Sequence, residues 1–460
     1  MPRITRVAAL TGVLLLTWSA VFASTFKYPF YWDDFHLIRS YSGSEIRSAF
    51  HAVADPDRIE TPGLRPCSIF LFNFQGSSFG ENVIAQRVFM VVLMGIFMIA
   101  VGTLLLELGL SFVQLNIVFL LFVSSRVFAS LVLWISLSHL ILAYIWIGLT
   151  TYLFVLWAKR GRWLFFLLMV ITATLGTFTR EETYTLPIVL PLLWLICFFD
   201  QAPLRRVIAG ALILLAIVCF HYWLWHFLVP DALSPKLNFG TVKRFLTSIA
   251  ASWLPHGYQM LGFADTLLGF LWIGFLSVVV WAFVKFGRQR VRWQFLGACG
   301  VGILLCLPAL AIARPFGIAL PTLAFATATS IVLGETYIQI QSWSQFREWQ
   351  RGAMIGGMIL GFAAGIYGGT QRSFYVAQSL RPDCALRAAR DGEFLFDLPR
   401  PATIPPRRRQ AGLARMESFG IYSADDVLRL ERTLKNTGGP DQPKQLEHGL
   451  FVSKYEYLSF

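Results

Sequence analysis

The sequence predicts an all-α polytopic membrane protein of about eleven transmembrane helices, and three observations carry that prediction. The 460 residues are 56% hydrophobic and only 14% charged, a balance outside that of ordinary soluble domains. Apolar runs of about 20 residues, long enough to cross a hydrocarbon core as helices, recur from end to end. Many of the Lys and Arg residues behind the net charge of +13 cluster in short loops between those runs. The positive-inside rule accounts for them there without a nucleic-acid partner.

Taken in order, Arg3 and Arg6 precede a first apolar run, 7–23, and hold the N-terminus in the cytoplasm. Val21-Phe22-Ala23 can pass for a signal-peptidase site, and cleaved or retained the segment leaves Asp33 on the outer face. Residues 26–87 form a long outer loop. Within it Ser44–Ala52 reads as a short amphipathic helix, Ala54–Gly63 as loop, and Leu64–Phe79 as an apolar-aromatic stretch at the membrane interface. Further spans are expected near 88–107, 111–128, 131–157, 163–179, 184–199, 207–228, 266–284, 294–312, 316–334 and 352–370. A second long outer loop, 229–265, holds a surface helix near Thr241–Ala251.

The loops assigned to the cytoplasm carry Lys159-Arg160-Gly161-Arg162, Arg205-Arg206, Lys285 with Arg288, Arg290 and Arg292, and Arg347 with Arg351. The short outer loops carry the single arginines Arg126, Arg180 and Arg314. An odd number of spans puts the C-terminus outside. Residues 1–370 are therefore read as the membrane domain and 371–460 as a small extracytoplasmic tail. That tail holds a Pro- and Arg-rich linker, Pro399–Arg409, a capped amphipathic helix from Ser423, and a strand at Leu450–Tyr457.

Four of the six cysteines, Cys197, Cys219, Cys299 and Cys306, lie in apolar runs and read as small core residues. Cys67 and Cys384 fall on the same side of the membrane, where a disulfide would be permitted. No CxxC or His/Cys cluster suggests zinc. His139, His221 and His226 lie in or near apolar spans and read as hydrogen-bonded core histidines, while His256 in the second outer loop is a candidate for acceptor contact.

The chemistry-bearing residues gather on the outer face: Asp33 and Asp34 after the first span, Arg65 and Arg87 before the second, Arg126, Arg180-Glu181-Glu182 and Arg314. Span interiors hold almost no ionisable groups. Ions at one interface suit a reaction there, whereas a proton-coupled transporter tends to bury some near the midplane. A sugar on a polyprenyl phosphate fits such a set, because phosphate departs without needing a proton. One carboxylate base then suffices, with arginine forks to hold the departing phosphate. A glycosidase needs two carboxylates in acid and base roles.

Tyr31-Trp32-Asp33-Asp34-Phe35 after a first span resembles the signature of the GT-C superfamily of polyprenyl-phosphate-sugar-dependent glycosyltransferases, which includes protein O-mannosyltransferases and the lipid A aminoarabinose transferase. Leu64-Arg65-Pro66 with Phe79-Gly80 resembles the "RP…FG" segment of O-mannosyltransferase-like members, and Trp134-Ile135-Ser136 their "WIS". Thr179-Arg180-Glu181-Glu182 with Leu186-Pro187 resembles "SKE…LP", and Arg314 with Pro321 resembles "R…LP". The motifs keep their order over residues 1–330. The family Glu and Arg flanking "WIS" stand here as non-ionisable residues near Ser130 and Ser138, and the family His after "FG" is missing around Ala85–Gln86.

The resemblance implies an inverting transfer with one Asp of the pair as general base, Asp33 favoured over Asp34, and the other orienting it or helping to hold a divalent cation. Arg180 and Arg314 would bind the lipid phosphate, with Arg65 as a further candidate, and Glu181 or Glu182 would contact sugar or cation. The partners implied are a polyprenyl-phosphate-linked sugar, membrane lipids and an acceptor that is glycan, lipid or protein. The compact loops point to a bacterial inner membrane. The rival readings are a lipid-linked polysaccharide polymerase or ligase, a lipid flippase or transporter, and a non-catalytic scaffold.

Overall fold

The computed structural model describes residues 3–27, 30, 34–50, 64–228, 263–307, 318–344 and 347–379, with single positions between 242 and 252. Its described elements are all helical: α1 (Arg3–Val21), α2 (Asp34–Leu37), α3 (Gly43–Ser48), α4 (Pro66–Phe79), α5 (Val83–Glu107), α6 (Phe112–Ser124), α7 (Arg126–Leu133), α8 (Ser138–Arg160), α9 (Trp163–Thr177), α10 (Leu186–Leu193), α11 (Leu204–Leu228), α12 (Phe263–Phe286), α13 (Gln289–Leu305), α14 (Ala319–Ser342) and α15 (Glu348–Ser379). Short 3₁₀ turns lie at Ala23–Lys27, Ile135–Leu137 and Glu181–Thr185.

A helix occupies each of the eleven expected span positions. Seven of these segments are long and apolar enough to cross a membrane, and eight if the bent pair α6–α7 is one span. The chain is an integral membrane protein. The remaining apolar helices are shorter: α9, 269–285 within α12, and 291–305 within α13. The 15 residues of α9 rise only about 22 Å, short of a hydrocarbon core of about 30 Å.

Local chemistry explains where helices start, bend and stop. Ser111 and Ser42 cap α6 and α3 in reciprocal boxes with Gln114 and Glu45. Gly161 ends α8 at φ 69°, a left-handed conformation that suits glycine. Pro191 inside α10 removes a helical donor, and the backbone widens into a π segment at Trp194–Phe198. The expected break near residue 130 lies instead at Ser125, whose extended backbone bends α7 by 62° from α6 while its hydroxyl accepts from the Phe128 N–H. Arg126, expected in a short loop, is therefore the first residue of a helix whose apolar face is wholly buried.

The core runs through α1, α5, α6, α7 and α8, with Phe97, Phe119, Phe122, Phe128 and Tyr144 at 0% exposure. In the first expected outer loop the short helix is α3, and the interfacial stretch is α4, which buries Ile69 and Phe72 while exposing Phe70 and Phe74. α15 runs past the expected span end at 370 to Ser379, and buried Ser373 donates to the Ser124 carbonyl oxygen at 3.0 Å. The tail from 380, with its expected linker, helix and strand, and most of the surface helix near 241–251 lie outside the described residues.

Candidate active site

Charge is sorted to two ends of the bundle. At one end Glu107, closing α5, meets Lys159 of α8 at 3.4 Å and Arg3 of α1 at 3.5 Å. At the other, segments far apart in sequence converge, beginning with the turn between α9 and α10. Thr179 and Arg180 both donate their N–H groups to the Gly176 carbonyl oxygen, so the turn is tight. A methyl on Gly176 would lie 2.9 Å from Thr183 Cγ2 and 3.0 Å from Trp146 Cβ, which is why glycine stands there. Arg180 follows in extended backbone, and the 3₁₀ turn carrying Glu181 and Glu182 leads into α10.

Onto this turn docks the segment that starts α4. Arg65 donates through Nε and Nη2 to the two carboxylate oxygens of Glu181 at 2.8 and 2.7 Å. The Cys67 N–H bonds the Phe178 carbonyl and the Ser68 hydroxyl bonds the Thr179 carbonyl. Burial alone would lower the Arg65 pKa, but the adjoining Glu181 carboxylate outweighs it and holds the guanidinium above its ordinary value. Buried His221 of α11 ties both sides together, accepting from the Tyr184 hydroxyl at 2.6 Å and donating through Nε2 to the Leu64 carbonyl at 3.0 Å.

Asp34 is the first residue of α2 and is fully buried. Its Oδ1 accepts the Ser136 N–H at 2.6 Å, and so fixes the Trp134-Ile135-Ser136 turn between α7 and α8. The Ser136 carbonyl faces His139 Nδ1 at 2.5 Å, His139 Nε2 faces Arg180 Nη1 at 2.6 Å, and Arg180 Nε donates to Glu182 at 2.9 Å. A continuous run of polar contacts thus joins Asp34, Ser136, His139, Arg180 and Glu182. Near Arg180 and Glu182, Tyr144 of α8 is hydrogen-bonded to the Ala319 backbone, bringing the start of α14 to this end. Arg87 donates to the Phe26 carbonyl at 3.2 Å, anchoring the turn that precedes the acidic pair.

Of the residues expected in the site, Asp34, Arg65, Arg180, Glu181 and Glu182 therefore come together. Asp33, Arg314 and His256 lie outside the described residues, as does Cys384. His139 and His221 are buried and hydrogen-bonded, as read for core histidines, but their partners belong to this constellation. For His139 a usable signal was its place three residues after Ser136, on the first helical turn behind the motif. At the positions where the motif departs, Ser138 and Gln86 share a neutral partner: the Ser138 hydroxyl donates to Gln75 Oε1 at 2.5 Å, and Gln75 Nε2 donates to Gln86 Oε1 at 3.1 Å.

No group of three or more His, Cys, Asp or Glu side chains gathers among the described residues, and one Asp34 oxygen faces a peptide N–H.

No protein-family model matches the chain. No curated protein matches it either. Among solved structures, it is similar to the crystal structure of ArnT from Cupriavidus metallidurans bound to undecaprenyl phosphate, at a TM-score of 0.44 and 11% identity, covering 95% of this chain and 90% of that one.

Proposed function

We propose that the protein is an integral-membrane glycosyltransferase that moves one sugar from a polyprenyl-phosphate donor to an acceptor, with inversion. The observation that carries this reading is the hydrogen-bonded run from Asp34 to Arg180, which sets an acidic loop beside a buried guanidinium at one end of the bundle. In the step, the acceptor hydroxyl oxygen attacks the anomeric carbon and gives its proton to a carboxylate. The bond from that carbon to the phosphate oxygen breaks, and polyprenyl phosphate leaves with the electron pair. Asp34 is buried and committed to Ser136, so its part is to hold the loop; its neighbour Asp33 is assigned as the base.

Arg180 and Arg314 are assigned to the leaving phosphate. Arg65 has two donors spent on Glu181, so it supports the turn rather than gripping phosphate. Glu181 and Glu182, both turned to arginines, set how much positive charge each guanidinium retains. His256 stays the candidate for acceptor contact. Counting the three shorter apolar helices as spans makes eleven. The positive-inside rule then puts the end with Lys159 and Arg206 in the cytoplasm and the site outside.

The test is to incubate the purified protein with labelled polyprenyl-phosphate sugars and candidate acceptors. A product of inverted anomeric configuration with release of polyprenyl phosphate is expected. Passage of intact lipid between leaflets without transfer would favour a flippase and overturn the reading.

A further inference from the structure

Arg180 and Arg65 pair with adjacent carboxylates, Glu182 and Glu181, yet they are held differently. Arg65 meets Glu181 fork to fork, an arrangement that spends its charge on the protein. Arg180 gives only Nε to a carboxylate, and its Nη1 goes to an imidazole. The hydrogen-bond roles on that ring follow from its neighbours. Nδ1 faces a carbonyl oxygen, so it carries the proton; Nε2 faces a guanidinium N–H, which only donates, so Nε2 is bare. His139 is therefore a neutral acceptor. Its orientation is set by the Ser136 carbonyl and by the edge-on ring of Phe72, with centroids 5.1 Å apart.

We propose that His139 is a positioning residue that aims Arg180 without neutralising it, and that ties the phosphate-binding arginine to the acidic loop. The tie is short: Ser136 gives its N–H to Asp34 and its carbonyl to His139, so one peptide residue transmits the position of the acid to the ring that holds the guanidinium. A carboxylate in place of the imidazole would hold Arg180 equally well in space but would add a second negative charge to that of Glu182 and leave no positive charge for a phosphate. This inference rests on the glycosyltransferase reading, because it gives Arg180 a phosphate to bind.

The experiment uses the full-length protein in nanodiscs, with undecaprenyl phosphate as the probe for binding and its labelled sugar derivative for turnover, in wild type and in four variants. His139→Gln keeps an acceptor that can reach Arg180, and donor KM and the dissociation constant should stay within about threefold of wild type. His139→Leu fills the space and His139→Asn keeps only the Ser136 contact; both should weaken donor binding about tenfold or more, with a smaller effect on kcat. His139→Glu should fold, by monodispersity and melting temperature, yet bind the probe about tenfold or more weakly.

Full donor affinity in His139→Glu would overturn the inference, since it would make the role purely spatial. So would wild-type affinity in His139→Leu, or a His139→Gln as weak as His139→Leu. A wild type that neither binds undecaprenyl phosphate nor transfers sugar would overturn the glycosyltransferase reading and this inference together. Binding and turnover in wild type with unaffected variants would overturn this inference alone.

Discussion

The Arg65–Glu181 pair joins residues 116 positions apart, and its energetic coupling can be worked from the geometry. Two charge-assisted bonds at 2.8 and 2.7 Å connect side chains that are 14% and 16% exposed, so most of their desolvation is complete in the folded state. Removing one member of a buried pair costs about 3–5 kcal/mol, because the other charge is stranded. The residual exposure lets water reach that charge, so Arg65→Met should cost about 3 kcal/mol. Glu181→Gln leaves one oxygen to accept from Arg65 and should cost about 2 kcal/mol. The double variant strands no charge, only the neutral amide that replaces the Glu181 carboxylate, and should cost about 3 kcal/mol rather than the sum, a coupling of about 2 kcal/mol. Reversible unfolding in mixed micelles titrated with SDS measures all four proteins. A double variant equal to the sum within about 0.5 kcal/mol would show the pair to be a contact without coupling, contrary to this expectation.

Three further outcomes follow from the same junction. His221→Leu strands the Tyr184 hydroxyl and the Leu64 carbonyl and should cost about 1–3 kcal/mol, with part of the loss recovered by adding Tyr184→Phe; the same unfolding assay reads both. Gly176→Val presses its side chain on Trp146 Cβ and Thr183, and should lower stability by about 1–3 kcal/mol and loosen the turn that presents Arg180, whereas Gly12 of α1, whose Cβ position meets nothing within 4 Å, offers a control for the added bulk alone. Burial pushes the Cys67 thiol up, more than the Thr179 hydrogen bond pulls it down, so in a variant keeping Cys67 alone its alkylation by iodoacetamide should reach half its maximal rate above the ordinary thiol value of about 8.5, and a midpoint at or below that value would contradict the burial.

The long apolar helices were legible because hydropathy is a property of long windows, and seven of the expected spans, or eight with the bent pair, are long and apolar enough to cross a membrane. What the window misses is a break made by small polar residues. Ser124 and Ser125 barely dent the hydropathy of the run 112–133, yet the Ser125 hydroxyl accepts from the Phe128 N–H, giving the backbone an alternative to the helical ladder. The motifs made Asp34 and Arg180-Glu181-Glu182 legible as candidates, and the structure brings these residues together. Their pairing was not legible: adjacent glutamates go to different arginines, Glu182 to its near neighbour Arg180 and Glu181 to Arg65, a choice that only the docking of α4 on the α9–α10 turn makes. His139 was read as core because an isolated histidine in an apolar run usually is. It is buried, and the groups it meets are the Ser136 carbonyl, Arg180 and Phe72, so a core contact and a contact of the constellation are the same thing here.

In the proposed transfer, a carboxylate at the acidic pair takes the acceptor proton while guanidinium groups hold the phosphate. Single-turnover transfer from a pre-bound polyprenyl-phosphate sugar, compared between wild type and Asp33→Asn, tests it most directly. We expect the variant to bind donor as wild type does and to transfer about a hundredfold or more slowly. An Asp33→Asn protein that transfers at the wild-type rate would contradict the account.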